Sequence, residues 1–188
     1  MFRKFVRGGV LNGANMENLQ LYRPLQVKLM SVNGLMESMV AMRLPKGGVS
    51  DTVSPTELGP GDADLAGRLI RAGSDHAKAI RGVVAYLQMN MQVGFLIEFE
   101  TYRHGVECLS TSSAMHGELK RLTGIALAEK KQADLSEKVY TRIVMVSYQA
   151  LRAMYKARRK HRHPDWQIFC DFIEEMPHFS ELIFPEGR

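Results

Sequence analysis

Cysteine and tryptophan are the scarcest side chains in this sequence, and a long apolar run is missing. The 188 residues include two cysteines, Cys108 and Cys170, which lie far apart and outside any metal-type spacing. This argues against a disulfide framework and a zinc site and favours a reducing compartment, the cytoplasm. No stretch approaches the roughly 20 apolar residues of a membrane-spanning helix. Residues 1–20 lack the apolar run of a secretory signal, and we expect them to form a mobile tail.

The bulk composition is that of an ordinary globular protein. Hydrophobic residues make up 45% of the chain and charged residues 24%, so we expect residues 21–188 to form a single domain with a real core. The net charge is +5, and much of the excess lies in residues 152–162. Anionic partners are therefore expected. These are nucleotides, phosphates or nucleic acid, but apart from Tyr155 the cluster has no aromatic platform, so a solvated face or a subunit contact is expected there rather than a nucleic-acid surface.

Periodicity predicts a mixed chain of strands and helices. Alternation of apolar and polar residues predicts strands at 25–32 and 83–91. Residues 44–61 contain three prolines and four glycines, which predicts a loop. Spacings of three and four predict helices at 35–42, 139–160 and 166–175, and a further helix from Val93 towards Arg103. Capping residues predict two more: one that begins at Asp62 or Asp64 and ends near Gly73, and one that begins at His76 after Ser74–Asp75. Residues 117–138 are expected to form a helix with a loop near Gly124.

Residues 93–116 concentrate the polar chemistry of the chain. An apolar helix leads into Arg103, His104 and Gly105, and hydroxyl and thiol groups follow at Cys108, Ser110, Thr111, Ser112 and Ser113. An Arg–His pair at a helix end, followed by hydroxyls in extended chain, suits a phosphate. The same pattern also suits a helix C-cap, in which basic residues face the dipole and glycine stops the helix. Both interpretations stay open at this point.

Other groups in this region are less indicative of catalysis. Glu98 and Glu100 are two residues apart on a helix and point about 200° away from each other, so we expect one of them to pair with an arginine rather than share a proton. Cys108 has no marked base and is expected to be a small buried thiol. His161 and His163 have no carboxylate partner at a spacing typical of metal ligands, so we do not predict a metal site there.

The predicted helix at 139–160 carries one apolar stripe that ends in a guanidinium. Its members fall at spacings of three and four: Val144, Tyr148, Leu151, Tyr155 and Arg158. Because Arg158 continues the line that faces the core, we expect it to meet Arg103 around one small anion.

These residues together resemble the flavin-dependent thymidylate synthases. The signature of that family is RHRxxSxNExSxR, and Arg103-His104 fall on its leading Arg-His while Ser113 falls on its final Ser. The chain departs from the signature at five positions, where it has Gly105 for the second Arg, Cys108 for the first Ser, Ser110 for Asn, Thr111 for Glu and Met115 for the last Arg.

A second match lies downstream of the signature. The segment from Tyr140-Thr-Arg to Arg159, followed by Trp166-Gln-Ile168, looks like the late helix of the family. Arg158 falls on an arginine that the family uses on the nucleotide phosphate. The two matches together cover residues 75–170, and the compact size looks like a divergent, phage-type branch.

The resemblance implies an α/β (α+β) fold with a small central sheet, helices on its faces and a long C-terminal helical region. It implies a homotetramer that binds FAD and methylates dUMP to dTMP, with methylenetetrahydrofolate and NADPH as co-substrates and no protein cysteine as nucleophile. Arg103, His104 and Ser110 would then contact the cofactor, and Ser113, Arg158 and Arg152 the nucleotide. Two alternatives remain: an inactive nucleotide-binding or interaction module on the same fold, or a basic nucleic-acid-binding protein.

Overall fold

A four-stranded antiparallel sheet organises the chain. The computed structural model describes residues 22–113, 118–135 and 137–185, so the predicted tail at 1–20 and Met115 lie outside the described residues. The strands are β1 (Gln26–Asn33), β2 (Val84–Gln92), β3 (Val106–Thr111) and β4 (Val139–Ser147). Their order across the sheet is β1-β2-β4-β3.

In the described part of the chain, six α-helices and several shorter turns accompany this sheet. The helices are α1 (Leu35–Arg43), α2 (Pro60–Ala72), α3 (Val93–Phe99), α4 (Gly124–Asp134), α5 (Tyr148–Arg158) and α6 (Pro164–Glu174). Three 3₁₀ turns lie at Leu44–Lys46, Ala77–Arg81 and Glu118–Arg121, and a π turn lies at Phe179–Ile183. No helix in the described part of the chain has the length and apolar character to cross a membrane.

The core forms where one face of the sheet meets the helices. Along β2, buried and half-buried side chains alternate, as the two-residue period of a strand requires. Ala85, Leu87, Met89 and Met91 are fully buried and belong to one cluster with side chains from α1, α2, α3, α5 and α6. Trp166 is completely buried in this cluster, which accounts for the position of α6.

Most of the predicted elements are confirmed. The strands predicted at 25–32 and 83–91 are β1 and β2, shifted by one residue. The helices predicted at 35–42 and 166–175 are α1 and α6, and the helix predicted from Val93 is α3, which already ends at Phe99. The mixed α/β architecture with a small sheet is confirmed as well.

The helix predicted at residues 139–160 is wrong in its first half. Residues 139–147 form β4, and α5 begins only at Tyr148. The run Ile143–Val146 is apolar at every position, so its period is ambiguous, and β-branched residues favour a strand there. Ser147 separates the two elements because its hydroxyl accepts a hydrogen bond from the backbone N–H of Ala150 at 3.2 Å, which caps the helix.

The predicted caps of the second helix and of the following segment are also wrong. The N-cap of α2 is Gly59, with Pro60 in the first turn, and neither Asp62 nor Asp64 caps it. Asp51 from the preceding loop instead accepts the first free N–H groups of the helix, at 2.7 and 2.9 Å. The segment after Gly73 is a 3₁₀ turn at Ala77–Arg81 without a side-chain cap, rather than a helix capped at 74–75. Within 117–138, the described residues form a 3₁₀ turn followed by α4, which has no buried residue.

Asp62 is the most strongly bound carboxylate of this region. Its side chain is fully buried and accepts hydrogen bonds from Arg43 Nε at 2.6 Å, Ser50 Oγ at 2.5 Å, and Thr52 N and Oγ1 at 3.1 and 2.7 Å. Burial alone would raise the pKa of this carboxyl, but the hydrogen bonds from Ser50, Arg43 and Thr52 outweigh that effect and lower the pKa to about 2. The loop between α1 and α2 is therefore fastened to α2 by one ionised group, which we call the Asp62 clasp.

Candidate functional site

Arg158 lies at the end of α5 beside two adjoining aromatic rings, those of Trp166 and Tyr102, whose centroids are 5.6 Å apart. Its guanidinium carbon is 5.0 Å from the centroid of the Trp166 ring and 5.6 Å from that of Tyr102, and its Nε donates to the Tyr102 hydroxyl at 2.9 Å. Trp166 is itself fixed, because its Nε1 donates to Glu98 Oε2 at 2.7 Å. The cation–π contacts and the hydrogen bond hold one edge of the guanidinium. Its terminal nitrogens donate to no described residue and remain available for a ligand.

Arg103 directly follows Tyr102, the residue that Arg158 contacts. Its side chain is exposed and has no hydrogen bond or ion pair with the residues that the structure describes. It borders a small pocket of about 270 Å³ together with Glu100, Glu107 and Cys108. His104 is exposed beside it. One segment of chain therefore carries Arg103 and the ring against which Arg158 packs.

The prediction that one of the two glutamates pairs with an arginine is confirmed. Glu100 forms an ion pair with Arg142 of β4, and Arg142 Nε also donates to Thr111 Oγ1 at 2.9 Å. The side chain of Arg142 is only 13% exposed. This contact joins the end of α3 to the end of β3, and Glu100 offsets the charge that Arg142 brings to this part of the sheet.

The remaining predicted site residues lie in two different places. Ser110 lies on the edge strand β3 and Ser113 just beyond it, and both are exposed. Arg152 is six residues before Arg158 on α5, so it projects from a different face of that helix. Its Nη1 donates to the carbonyl of Ile183 at 2.8 Å, and it borders a separate pocket with Arg71 and Lys156. The structure does not bring Arg152 together with Arg158.

Gly105 occupies a position that only glycine can fill without strain. Its φ of 74° lies in the left-handed region. A Cβ built there would be 2.4 Å from Ser147 Oγ and 3.4 Å from the Cβ of Ala150. The Gly105 carbonyl also accepts a hydrogen bond from the Ser147 N–H at 2.8 Å, so the turn is fixed against the start of α5. A side chain at this position would therefore strain the turn.

We expect Gly105→Ala to destabilise the protein by about 2 kcal/mol or more, because left-handed strain costs about 1–2 kcal/mol and the contact with Ser147 adds to it. Urea unfolding followed by circular dichroism measures this difference. Gly94→Ala is the control, since a Cβ at Gly94 would meet no atom within 4 Å and lies inside helix α3. Equal stability of Gly105→Ala and the wild type would contradict the assigned turn.

A larger cavity of about 840 Å³ lies between α1, α2 and the 3₁₀ turn at Ala77–Arg81, and we call it the helical groove. Its volume is within the range that cofactors and ligands occupy. Its lining combines apolar side chains with charged ones: Met42, Leu65 and Leu69 are apolar, Arg43, Lys46, Arg68, His76 and Lys78 are basic, and Glu37 and Asp75 are acidic. Ser38 also lines it, and its buried hydroxyl has no hydrogen-bond partner among the described residues. Such a hydroxyl costs free energy unless a ligand or water satisfies it.

Among the described residues, neither the two cysteine thiols nor the potential metal ligands form a further candidate site. Burial raises the pKa of the Cys170 thiol to about 11, so it stays protonated and unreactive. Cys108 is half-buried, and its sulfur lies 3.5 Å from Thr111 Oγ1 and 3.6 Å from the Ser110 carbonyl oxygen. Within the described ranges, no group of three potential ligands is arranged to hold a metal ion.

Comparisons with known proteins found similar structures but no matching sequence. No protein-family model matches the chain, and no curated protein matches it. Among solved structures, the flavin-dependent thymidylate synthase ThyX from Helicobacter pylori, complexed with FAD and dUMP, superposes with a TM-score of 0.61 at 14% identity. The match covers 85% of this chain and 97% of that one. A second structure of the same protein with FAD and dUMP gives the same values.

A third similar structure comes from an enzyme with a related activity. The UMP/dUMP methylase PolB from Streptomyces cacaoi, bound with 5-Br dUMP, has a TM-score of 0.58 at 13% identity, covering 84% of this chain and 91% of that one. Identities this low carry no residue-level equivalence, but the match extends over nearly the whole length of each relative. The chain has the fold of the flavin-dependent thymidylate synthases.

Proposed function

We propose that this protein binds a deoxyuridine nucleotide and methylates dUMP to dTMP with a reduced flavin and methylenetetrahydrofolate. The observation that carries the proposal is that the Arg158 guanidinium contacts the rings of Trp166 and Tyr102, and Tyr102 directly precedes Arg103, in a chain with this fold. A guanidinium with a fixed edge loses little conformational freedom when it binds a phosphate bidentately. Arg158 and Arg103 are the two groups proposed to hold the nucleotide phosphate.

The helical groove is the proposed flavin site. A dinucleotide needs several hundred Å³, which the 270 Å³ pocket beside Arg103 does not provide and the 840 Å³ groove does. Lys46 and Lys78 are suited to the pyrophosphate, and the apolar side chains to the rings. A reduced flavin held by these residues would supply the hydride that the one-carbon unit needs. Arg103, His104 and Ser110, which the sequence analysis assigned to the cofactor, are not among the residues that line the groove. Those assignments, and those of Ser113 and Arg152 to the nucleotide, stay predictions.

The purified protein tests this proposal directly. We expect a yellow preparation with absorption near 450 nm, and release of FAD on denaturation, identified by mass spectrometry. Titration calorimetry should also show saturable dUMP binding, because the nucleotide site proposed at Arg158 shares no lining residue with the helical groove. A colourless protein that neither takes up added FAD nor responds to dUMP would contradict the proposal.

A second candidate function has its own supporting observation. Gly105 cannot carry the arginine that the family signature has at this position, so the anion site has lost a cation. A charge-assisted hydrogen bond contributes roughly 1.5–3 kcal/mol, which is about ten- to a hundredfold in affinity. The alternative is therefore a nucleotide-binding module without turnover. Thermal stabilisation by dUMP in a flavin-free protein, with no dTMP formed, would favour it.

The quaternary structure and the compartment remain predictions. A homo-oligomer, tetrameric by family resemblance, and a cytoplasmic location rest on the sequence analysis. NADPH is proposed as the reductant only if the protein catalyses turnover.

A further inference from the structure

The floor of the helical groove carries a hydroxyl group, that of Ser38. Among the described residues that line the groove, Ser38 is the only one that is buried, with 4% of its surface exposed. Its Oγ is buried as well and has no hydrogen-bond partner in the described part of the chain. An unsatisfied buried hydroxyl destabilises the folded protein, and alanine is the better helix former at such a position. Ser38 therefore lowers the stability of the protein unless a further molecule reaches its hydroxyl.

Gly82 leaves the approach to this hydroxyl open. Its φ of −80° and ψ of −17° lie in the right-handed region, so the backbone there does not require glycine. A Cβ built on Gly82 would, however, lie 2.5 Å from Ser38 Oγ, and Gly82 itself lines the groove. Any residue larger than glycine at this position would fill the space in front of the hydroxyl.

The polarity of the groove changes with depth. Beyond the buried hydroxyl, most of the half-buried lining residues are apolar: Met42, Leu65, Leu69 and Ala79. Lys46 and Lys78 are exposed and lie at the rim. A molecule that matches this order has a largely apolar ring with a polar edge, and carries its charge outside the ring.

A phosphate is a poor partner for a hydroxyl in this position. A dianion beside one neutral donor at a buried site would lose its water without gaining a compensating cation. A heteroaromatic ring instead places its faces against apolar walls and needs only a few hydrogen bonds at its edge. Because a serine hydroxyl both donates and accepts, Ser38 can serve a ring carbonyl or a ring nitrogen.

We propose that Ser38 Oγ hydrogen-bonds the edge of the cofactor's heteroaromatic ring, while the phosphates stay at the rim beside Lys46 and Lys78. This inference rests on the flavin site proposed in the groove, and it specifies which protein group recognises the ring. FAD contains two such rings, the isoalloxazine and the adenine. The hydrogen-bonding chemistry is the same for either, so the experiment has to separate them.

Titration calorimetry of the full-length protein with FAD tests the inference. We expect Ser38→Ala to bind FAD about tenfold more weakly than the wild type, because a hydrogen bond to a buried ring edge is lost. Gly82→Ala should also weaken FAD binding, since its Cβ takes the space at the hydroxyl. Ser31→Ala is the matched control: it removes the same group from an exposed position outside the groove and should stay within about twofold of the wild type.

FMN and ADP, titrated separately, identify the ring. A loss of affinity in Ser38→Ala with FMN assigns the isoalloxazine to the floor of the groove, and a loss with ADP assigns the adenine. The stability of the flavin-free protein gives an independent readout, because Ser38→Ala removes an unsatisfied group. We expect the thermal midpoint of this variant to rise by about 2–4 °C, opposite in sign to its effect on binding.

Three results would overturn the inference, and each differs from the others. Equal FAD affinity in Ser38→Ala and the wild type would leave the flavin site in place and remove the role of the hydroxyl. A lower thermal midpoint of flavin-free Ser38→Ala would make the hydroxyl a purely structural group. A wild-type protein that does not bind FAD at all would overturn the proposed flavin site together with this inference.

Discussion

Arg158→Ala is expected to weaken dUMP binding at least about a hundredfold, because two charge-assisted hydrogen bonds of roughly 1.5–3 kcal/mol each are lost. Isothermal titration with dUMP measures this effect. The dUMP affinity of Arg158→Lys should fall between those of the wild type and the alanine variant, because lysine keeps the charge but cannot donate two hydrogen bonds in the planar geometry of a guanidinium.

Folding of the variant has to be separated from its binding. Arg158 contributes cation–π contacts and one hydrogen bond to the protein, so we expect a loss of only about 1–2 kcal/mol in unfolding free energy. Circular dichroism and a thermal melt check this, and Lys160→Ala serves as the charge-matched control at the same end of α5. Unchanged dUMP affinity in a folded Arg158→Ala protein would defeat the proposed nucleotide site.

Asp62→Asn is expected to lower the free energy of unfolding by about 3–5 kcal/mol, the cost of breaking a buried ion pair and leaving one partner uncompensated. Asparagine keeps the shape of the side chain, but its NH₂ cannot accept the hydrogen bonds that converge on the carboxylate. Urea unfolding at neutral pH measures the loss. Asp64→Asn on the same helix is the control, because the ion pair of Asp64 with Arg68 is largely exposed and should contribute less than about 1 kcal/mol.

The same carboxylate predicts a dependence of stability on pH. The pKa of Asp62 is about 2 in the folded protein, below the value near 3.8 of an unperturbed aspartate. Its contribution is therefore fully present above about pH 4 and is lost as the pH falls towards 2, where the carboxylate takes up a proton. At about 1.36 kcal/mol per pKa unit this amounts to roughly 2.5 kcal/mol. In Asp62→Asn, that part of the acid dependence should disappear.

The sequence predicted the strands and the amphipathic helices well because their periods are visible in single segments. It failed at residues 139–147, where apolar residues at consecutive positions carry no period, and the pairing partners β2 and β3 decide the conformation. Ser147 was a usable signal, since a serine before a helical stripe is a typical N-cap. The failed cap at Asp62 has a different cause: Asp51, from the preceding loop, accepts the N–H groups at the start of that helix. The cap predicted at 74–75 failed because the segment that follows is a 3₁₀ turn without a side-chain cap.

The candidate site was predictable only in part. The sequence singled out Arg103 and Arg158 but did not indicate that Tyr102 and Trp166 both contact Arg158, because these residues are 56 and 8 positions from it in the chain. The helical groove was missed entirely. Its walls come from three separate elements, and each apolar residue in them reads as ordinary core when it is considered alone.

Arg43 belongs both to the Asp62 clasp and to the wall of the helical groove. Protonation of Asp62 removes the counter-charge that holds this guanidinium, so proton uptake in the clasp and occupancy of the groove are thermodynamically linked. An anionic molecule that engages Arg43 draws it away from the carboxylate and makes proton uptake easier. The stability of the folded protein at low pH and its affinity for such a molecule are therefore coupled.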